Sequence, residues 1–272
     1  MAKRAMFIVE FPVGSGSALH WWVVRDGAVV RKGRDSDPLT DAGIDLAASE
    51  AESFIIVALV PSIVTHVRWH KFEEALTDKQ IMAAALVDAQ AQSLQKEHLH
   101  VAAIGVADAA AATASIDQDK LSRGLAQLQS LGIDPDVVTP TGWLIPATQD
   151  SITQANFGFD KLLRTDQMIV PDEPSLREHI IRTQPVISLS QAELDDAVGQ
   201  MDPDHLLNLR SGPFAKKSAR GALTPMQKKI LVGMAAAVLL ISLCIPLGQL
   251  VKYHLAAREA DNAALLAARP IL

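Results

Sequence analysis

Cysteine and tyrosine each occur once in the 272 residues, and aromatic side chains of all kinds make up only 4%. The single cysteine, Cys244, lies inside an uncharged apolar run, so neither a disulfide framework nor a cysteine metal site can be built, as expected of a chain in a reducing compartment. No local Ser-His-Asp or Cys-His nucleophile motif is present. Basic charge is scarce in the bulk of the chain. Removing the +5 of residues 216–229 and the +1 of residues 252–272 from the whole-chain value of -6 leaves -12 on residues 1–215. That balance excludes the basic field a nucleic-acid partner needs and suits a basic protein surface instead.

What is present is one long apolar run. The stretch "KKILVGMAAAVLLISLCIPLGQLVK" is bracketed by lysines, and Ile230 to Val251 holds 22 residues without a charge. At about 1.5 Å per helical residue it covers the roughly 30 Å hydrocarbon core of a bilayer, whereas a buried core helix needs only about 10 to 14 apolar residues. A transmembrane helix is expected over 230–251, and its position far from the amino terminus excludes a secretory signal. Orientation follows from the flanks: Lys216, Lys217, Arg220, Lys228 and Lys229 precede the run with no acid among them, while Glu259 and Asp261 accompany the basic residues behind it. The amino-terminal side is therefore expected in the cytoplasm, with a single span. The basic run enforces that topology and is also suited to anionic lipid headgroups.

Within the span, Gly233, Ala237, Leu240, Cys244 and Gly248 fall on one stripe, where small residues let a neighbouring helix approach closely. Pro246 removes the bond to the Ser242 carbonyl, which predicts a kink.

The cytoplasmic part reads as mixed α/β. "AMFIVEF", "ALHWWVVR" and "AVVRKG" predict a strand meander, with Trp21 and Trp22 pointing to opposite faces. "SFIIVALVP" predicts a buried strand and "VTHVRWH" a half-buried one. Thr77 and Gln80 form a capping box that starts a helix running to about Gln95. "LHVAAIGV" and "AATASI" add two strands, then Asp117 caps a helix with Leu121, Leu125, Leu128 and Leu131 on one face and Gly132 at its end. "PDVVTP" and "GWLIPA" return the chain to the sheet. Short strands near "FGFDKLLR" and "QMIVP", a helix at "SLREHIIR" and a last helix from Ser190, boxed by Glu193 and closed by Gly199, complete the reading. The class is α/β, with α+β as the alternative, built from two similar lobes.

The segment "DHLLNLRSGPFAKK", placed between an α/β region and a single span, resembles the close of the cytoplasmic domain in the L component of type II secretion systems, at Asn208, Leu209, Gly212, Phe214 and Ala215. "VALVPSIVTHVRWH" and "LQSLGIDPDVVTPTGWLIP" resemble further segments of that family, so the likeness runs over most of residues 5–251. It implies an actin-like ATPase fold over 1–215, a basic linker over 216–229, the span, and a tail over 252–272. The family's ferredoxin-like periplasmic domain is not expected in that short periplasmic helical tail, which cannot bury a core of its own, so that either the chain is truncated or its partner contacts differ. The implied role is an inner-membrane platform protein that recruits and couples the secretion ATPase (the E component). The implied partners are that ATPase, a second bitopic platform protein (the M component), a second copy of the chain and membrane lipids.

An actin-like fold raises the question of ATP hydrolysis, which needs an acidic residue for metal and water and glycine-rich hairpins around the phosphates. "EFPVGSGSALH" offers Gly14, Ser15, Gly16 and Ser17, but Glu10 stands four residues before the glycines, Pro12 lacks an N-H, and no Gly-Lys-Ser/Thr follows. The counterpart hairpin in "SITQANFGFDK" shows no Asp-x-Gly. The histidine pairs His66/His70 and His98/His100 share strand faces without an acidic or cysteine group to complete a metal site. The expectation is a noncatalytic scaffold with no cofactor or metal. A membrane-tethered actin-like ATPase and a bitopic signalling subunit are the alternatives.

Overall fold

The computed structural model describes residues 5–14, 18–44, 54–72, 76–92, 98–106, 110–148, 150–181, 184–216, 242 and 252. The chain divides into two compact units, Met1–Lys216 and Lys217–Leu272. The expected span lies outside the described residues except for Ser242. So do Lys217, Arg220, Lys228 and Lys229 and the stripe Gly233, Ala237, Leu240, Cys244 and Gly248. Among the described residues no helix is long and apolar enough to cross a membrane.

The first unit contains two sheets. Strands β1 (Met6–Glu10), β2 (Leu19–Arg25) and β3 (Ala28–Asp35) form the antiparallel meander read from the sequence. A short helix α1 (Pro38–Ala42) leads on to β4 (Ile55–Val60), which lies parallel to β1. Strand β8 (Val137–Pro140) closes this sheet in the order β3-β2-β1-β4-β8. The same unit recurs in the second half of the chain. Strands β9 (Ile152–Asn156), β10 (Lys161–Arg164) and β11 (Ile169–Pro171) form another antiparallel meander, followed by helix α4 (Pro174–Ile180) and by β12 (Val186–Ser188) parallel to β9. The two similar lobes are thus visible in the strand pairing itself.

Between the lobes come β5 (Thr65–Lys71), helix α2 (Asp78–Ala91), β6 (Leu99–Val106) and β7 (Ala110–Asp117). They extend the second sheet to β12-β9-β10-β11-β5-β7-β6. Helices α3 (Gln118–Ser130) and α5 (Gln191–Gln200) complete the unit.

Strand periodicity builds the core. Phe7, Val9, Trp21, Ala58 and Val60 face one hydrophobic cluster, into which α3 delivers Leu121 and Leu128. Met6, Ile8, Trp22, Val57 and Leu59 face the other, which receives Leu194 and Val198 from α5. Trp21 and Trp22 therefore do point to opposite faces, and both are core.

Two local expectations change. "GWLIPA" does not form a strand: residues 141–144 make a 3-10 turn, with Gly142 packed so tightly that a Cβ there would lie 2.3 Å from Ile169 Cγ2. Gly199 does not close α5. It sits inside the last turn, where a Cβ would meet the Gly27 carbonyl oxygen at 2.6 Å, and the helix ends one residue later, ahead of Pro203.

Candidate functional site

The β1–β2 and β9–β10 connections occupy equivalent places in the two lobes, where an actin-like ATPase would hold phosphates. Glu10, the last residue of β1, accepts the His20 N–H at 3.0 Å and pairs with His20 Nδ1 at 2.7 Å. In the β9–β10 hairpin Asp160 is buried and accepts both the Ser62 N–H, at 2.8 Å, and the Ser62 hydroxyl, at 2.7 Å. Burial pushes its carboxyl above the usual range, the hydrogen bonds from Ser62 oppose that, and the charge of Glu10 adds to it. Aromatic rings pack across the same place. Phe159 lies 5.5 Å from the His20 ring and 6.2 Å from Trp22, and Phe157 meets Trp22 edge-on at 6.4 Å. The carboxylates at the two hairpins thus bind neighbouring protein groups. No group of three or more metal-ligating side chains occurs among the described residues.

The segment carrying the family resemblance forms a strap along the edge of the first sheet. Asn208 Oδ1 accepts the N–H of Val138 at 3.0 Å and of Arg210 at 2.8 Å, while the fully buried Leu209 donates its N–H to the Val138 carbonyl at 2.7 Å. Asn208 and Leu209 together stand in for a sixth strand beside β8. The Leu209 carbonyl accepts from His100 Nε2 at 2.7 Å, and Phe214 sets its ring edge-on to His100 at 4.9 Å. Desolvation lowers the His100 imidazole below its ordinary range, against the opposing effect of the Leu209 carbonyl. Gly212, with φ at 54°, makes the turn that brings Phe214 back, and Ala215 closes it by donating its N–H to the Gly212 carbonyl at 3.1 Å. Arg210 then reaches Asp134 at 2.5 Å, and Lys216 reaches Asp136 at 2.9 Å and the Asp134 carbonyl at 2.7 Å. The strap fixes where the chain leaves the domain. Of the expected basic residues only Lys216 is described, and it is engaged by this acidic turn.

Within each histidine pair one ring is buried and the other exposed, and His98 lies just ahead of β6 rather than on it. His70 is buried between Asp88, 2.9 Å from Nδ1, and Thr113, 2.9 Å from Nε2, which ties α2 to β7. His66 and His98 are exposed. Sequence reasoning missed Arg164, which is buried with its guanidinium 5.6 and 5.5 Å from the ring centroids of Trp69 and Trp143 and donates to the Gly142 carbonyl at 2.6 Å. Burial brings it down to about 10, so it stays cationic at neutral pH. Its partners lie 20 or more positions away, so no local pattern announces it.

These features define a two-lobed α/β domain whose interlobe hairpins are packed together and whose carboxy-terminal edge is strapped. The chain belongs to the family described as type II secretion system (T2SS), protein L, which matches residues 7–196, and is a component of that system. No curated protein matches the chain. Among solved structures it is similar to the cytoplasmic domain of EpsL, an inner membrane component of the type II secretion system of Vibrio cholerae. The TM-score is 0.54 at 15% identity, over 77% of this chain and 99% of that one. Looser likenesses are to a PilM-PilN type IV pilus biogenesis complex (TM-score 0.44, 12% identity, 70% of this chain and 68% of that one) and to a Bacteroides thetaiotaomicron protein of unknown function with an actin-like ATPase fold (0.37, 8%, 76% and 90%). The two-lobed α/β class expected of residues 1–215 is the class observed.

Proposed function

We propose that the chain is an inner-membrane platform component that holds an acidic, noncatalytic cytoplasmic domain at the membrane, recruits the secretion ATPase and couples it to the assembly. The observation that carries this reading is the protein L domain, matched over residues 7–196, followed through its strap by a basic run and a 22-residue uncharged segment. The noncatalytic part rests on the hairpins: Glu10 is engaged by His20 and Asp160 by Ser62, and Phe159 packs on the His20 ring. The -12 charge of residues 1–215 suits a basic surface on the ATPase, and the stripe from Gly233 to Gly248 suits a second bitopic subunit or a second copy. Purifying the full membrane-tethered chain tests the reading. A hexameric secretion ATPase should copurify through residues 1–216, and its absence from assemblies that retain the other platform proteins would sink the proposal.

A further inference from the structure

Strand β3 is the outermost strand of the first sheet. It is eight residues long, contains no proline, and pairs with β2 on one side only; no strand covers its other side among the described residues. An open edge of that length is a template for another extended chain.

Its side chains restrict which chain fits. Arg31, Lys32 and Arg34 are exposed, with no acid between Ala28 and Arg34, on a domain that carries -12. Lys32 shares Asp195 at 2.6 Å. Arg31 donates to the carbonyl oxygens of Ala42, at 3.0 Å, and Asp41, at 2.8 Å, so its charge meets no carboxylate there. The Arg34 side chain makes no hydrogen bond or ion pair among the described residues, its backbone pairing with His20 in the ladder. Register puts Lys32 opposite Trp22 and Arg34 opposite His20, on one face of the sheet. On that face a cavity of about 390 Å³ opens, walled by His20, Trp22, Lys32, Arg34, Phe157 and Gln191. A carboxylate entering it meets a free guanidinium that can bind both its oxygens.

A second copy of β3 is a poor occupant, because the strand carries Arg31, Lys32 and Arg34 against the one acid Asp35, so self-pairing gathers an excess of like charge, which destabilises a strand pair. Val30, 52% exposed at the bulged part of the strand, adds an apolar contact for an incoming chain.

We propose that β3 is a docking edge for an extended, acidic segment of a partner polypeptide, which adds to the sheet beyond β3 and seats one carboxylate side chain at Arg34. The proposal goes beyond ATPase recruitment and does not depend on it. The acidic bulk of the domain attracts a basic surface, and this edge takes an acidic one.

The test uses the full-length protein in detergent and a fluorescent peptide of four Glu-Val repeats, with four Lys-Val repeats as the control. The glutamate peptide should bind saturably and the lysine peptide should not. Hydrogen exchange should slow over residues 28–35 when the glutamate peptide is added. Arg34→Glu should weaken that binding at least about tenfold, and Arg34→Gln by less, with circular dichroism unchanged because Arg34 supports no other residue. Absence of saturable binding, equal binding of the two peptides, undiminished binding to Arg34→Glu, or unprotected β3 amides would each overturn the proposal. Protection of β3 through self-association alone, without peptide, would assign the edge to a second copy and overturn it as well.

Discussion

Asn208 gives the edge strand β8 a hydrogen-bond partner that a neighbouring backbone would otherwise provide: its Oδ1 accepts the Val138 N–H at 3.0 Å while Leu209 donates to the Val138 carbonyl at 2.7 Å. One side chain and one peptide group thereby seal the strand and anchor the strap that leads to the basic linker.

Asn208→Ala should therefore destabilise the domain. The substitution leaves the N–H groups of Val138 and Arg210 without their shared acceptor in a partly buried place, which costs about 1–3 kcal/mol. For a domain of this size, melting should fall by about 2–4 °C per kcal/mol. Thermal denaturation of residues 1–216, the compact unit, measures it, and an unchanged midpoint would show that the strap bears no load.

How much of this was legible in the sequence depends on distance along the chain. The meander, the parallel β4 run and the α3 stripe of Leu121 and Leu128 each announce themselves within a window of a few residues, and all three are found. Strands β9 and β12 give no such signal, because they are short and carry the polar residues Thr153, Gln154 and Ser188. The five-residue helix α1 carried its signals openly, with Asp37 as cap, Pro38 in the first turn and the left-handed Gly43 behind, but it is too short to show a period. The resemblance marked Asn208 and Phe214 as a motif without giving their tasks. Their partners Val138 and His100 lie 70 and more positions away, as Ser62 does from Asp160 at a separation of 98.

The strap should also respond to pH through His100. Desolvation holds its imidazole below the ordinary value of 6.5, so below about pH 6.5 the unfolded chain takes up a proton that the folded one resists. The stability linked to His100 is complete above 6.5. It declines as the pH falls from there toward the folded value. His100→Gln keeps a donor for the Leu209 carbonyl and removes the titration. The stability difference between the native protein and His100→Gln should therefore shrink between pH 7.5 and 5, as read by chemical denaturation at each pH. A difference constant with pH would exclude His100 as the titrating group.

Nucleotide should not bind. Glu10 is engaged by His20 and Asp160 by Ser62, so each hairpin carboxylate would have to give up its protein partner before it could position a metal or water. Calorimetry of residues 1–216 with magnesium and ATP should give no heat of binding. A micromolar isotherm would restore the membrane-tethered ATPase as the leading reading.

Recruitment of the secretion ATPase should depend on salt through its on-rate. The -12 balance of residues 1–215 is far from neutral, although the adjoining residues 216–229 carry +5, so a basic patch on the partner experiences attraction before contact. Such attraction acts over distances set by ionic screening. Between about 50 and 300 mM salt the Debye length shrinks from roughly 14 Å to under 6 Å, and the association rate should fall accordingly. Once the complex has formed, a few buried apolar contacts hold it, so the dissociation rate should change less. Surface-bound kinetics against the purified amino-terminal domain of the ATPase separate the two rates. An on-rate that stays flat over this range would leave the charge a role in solubility alone and move the search for the recognition surface to exposed apolar residues such as Ile63 and Val87, 63% and 66% accessible.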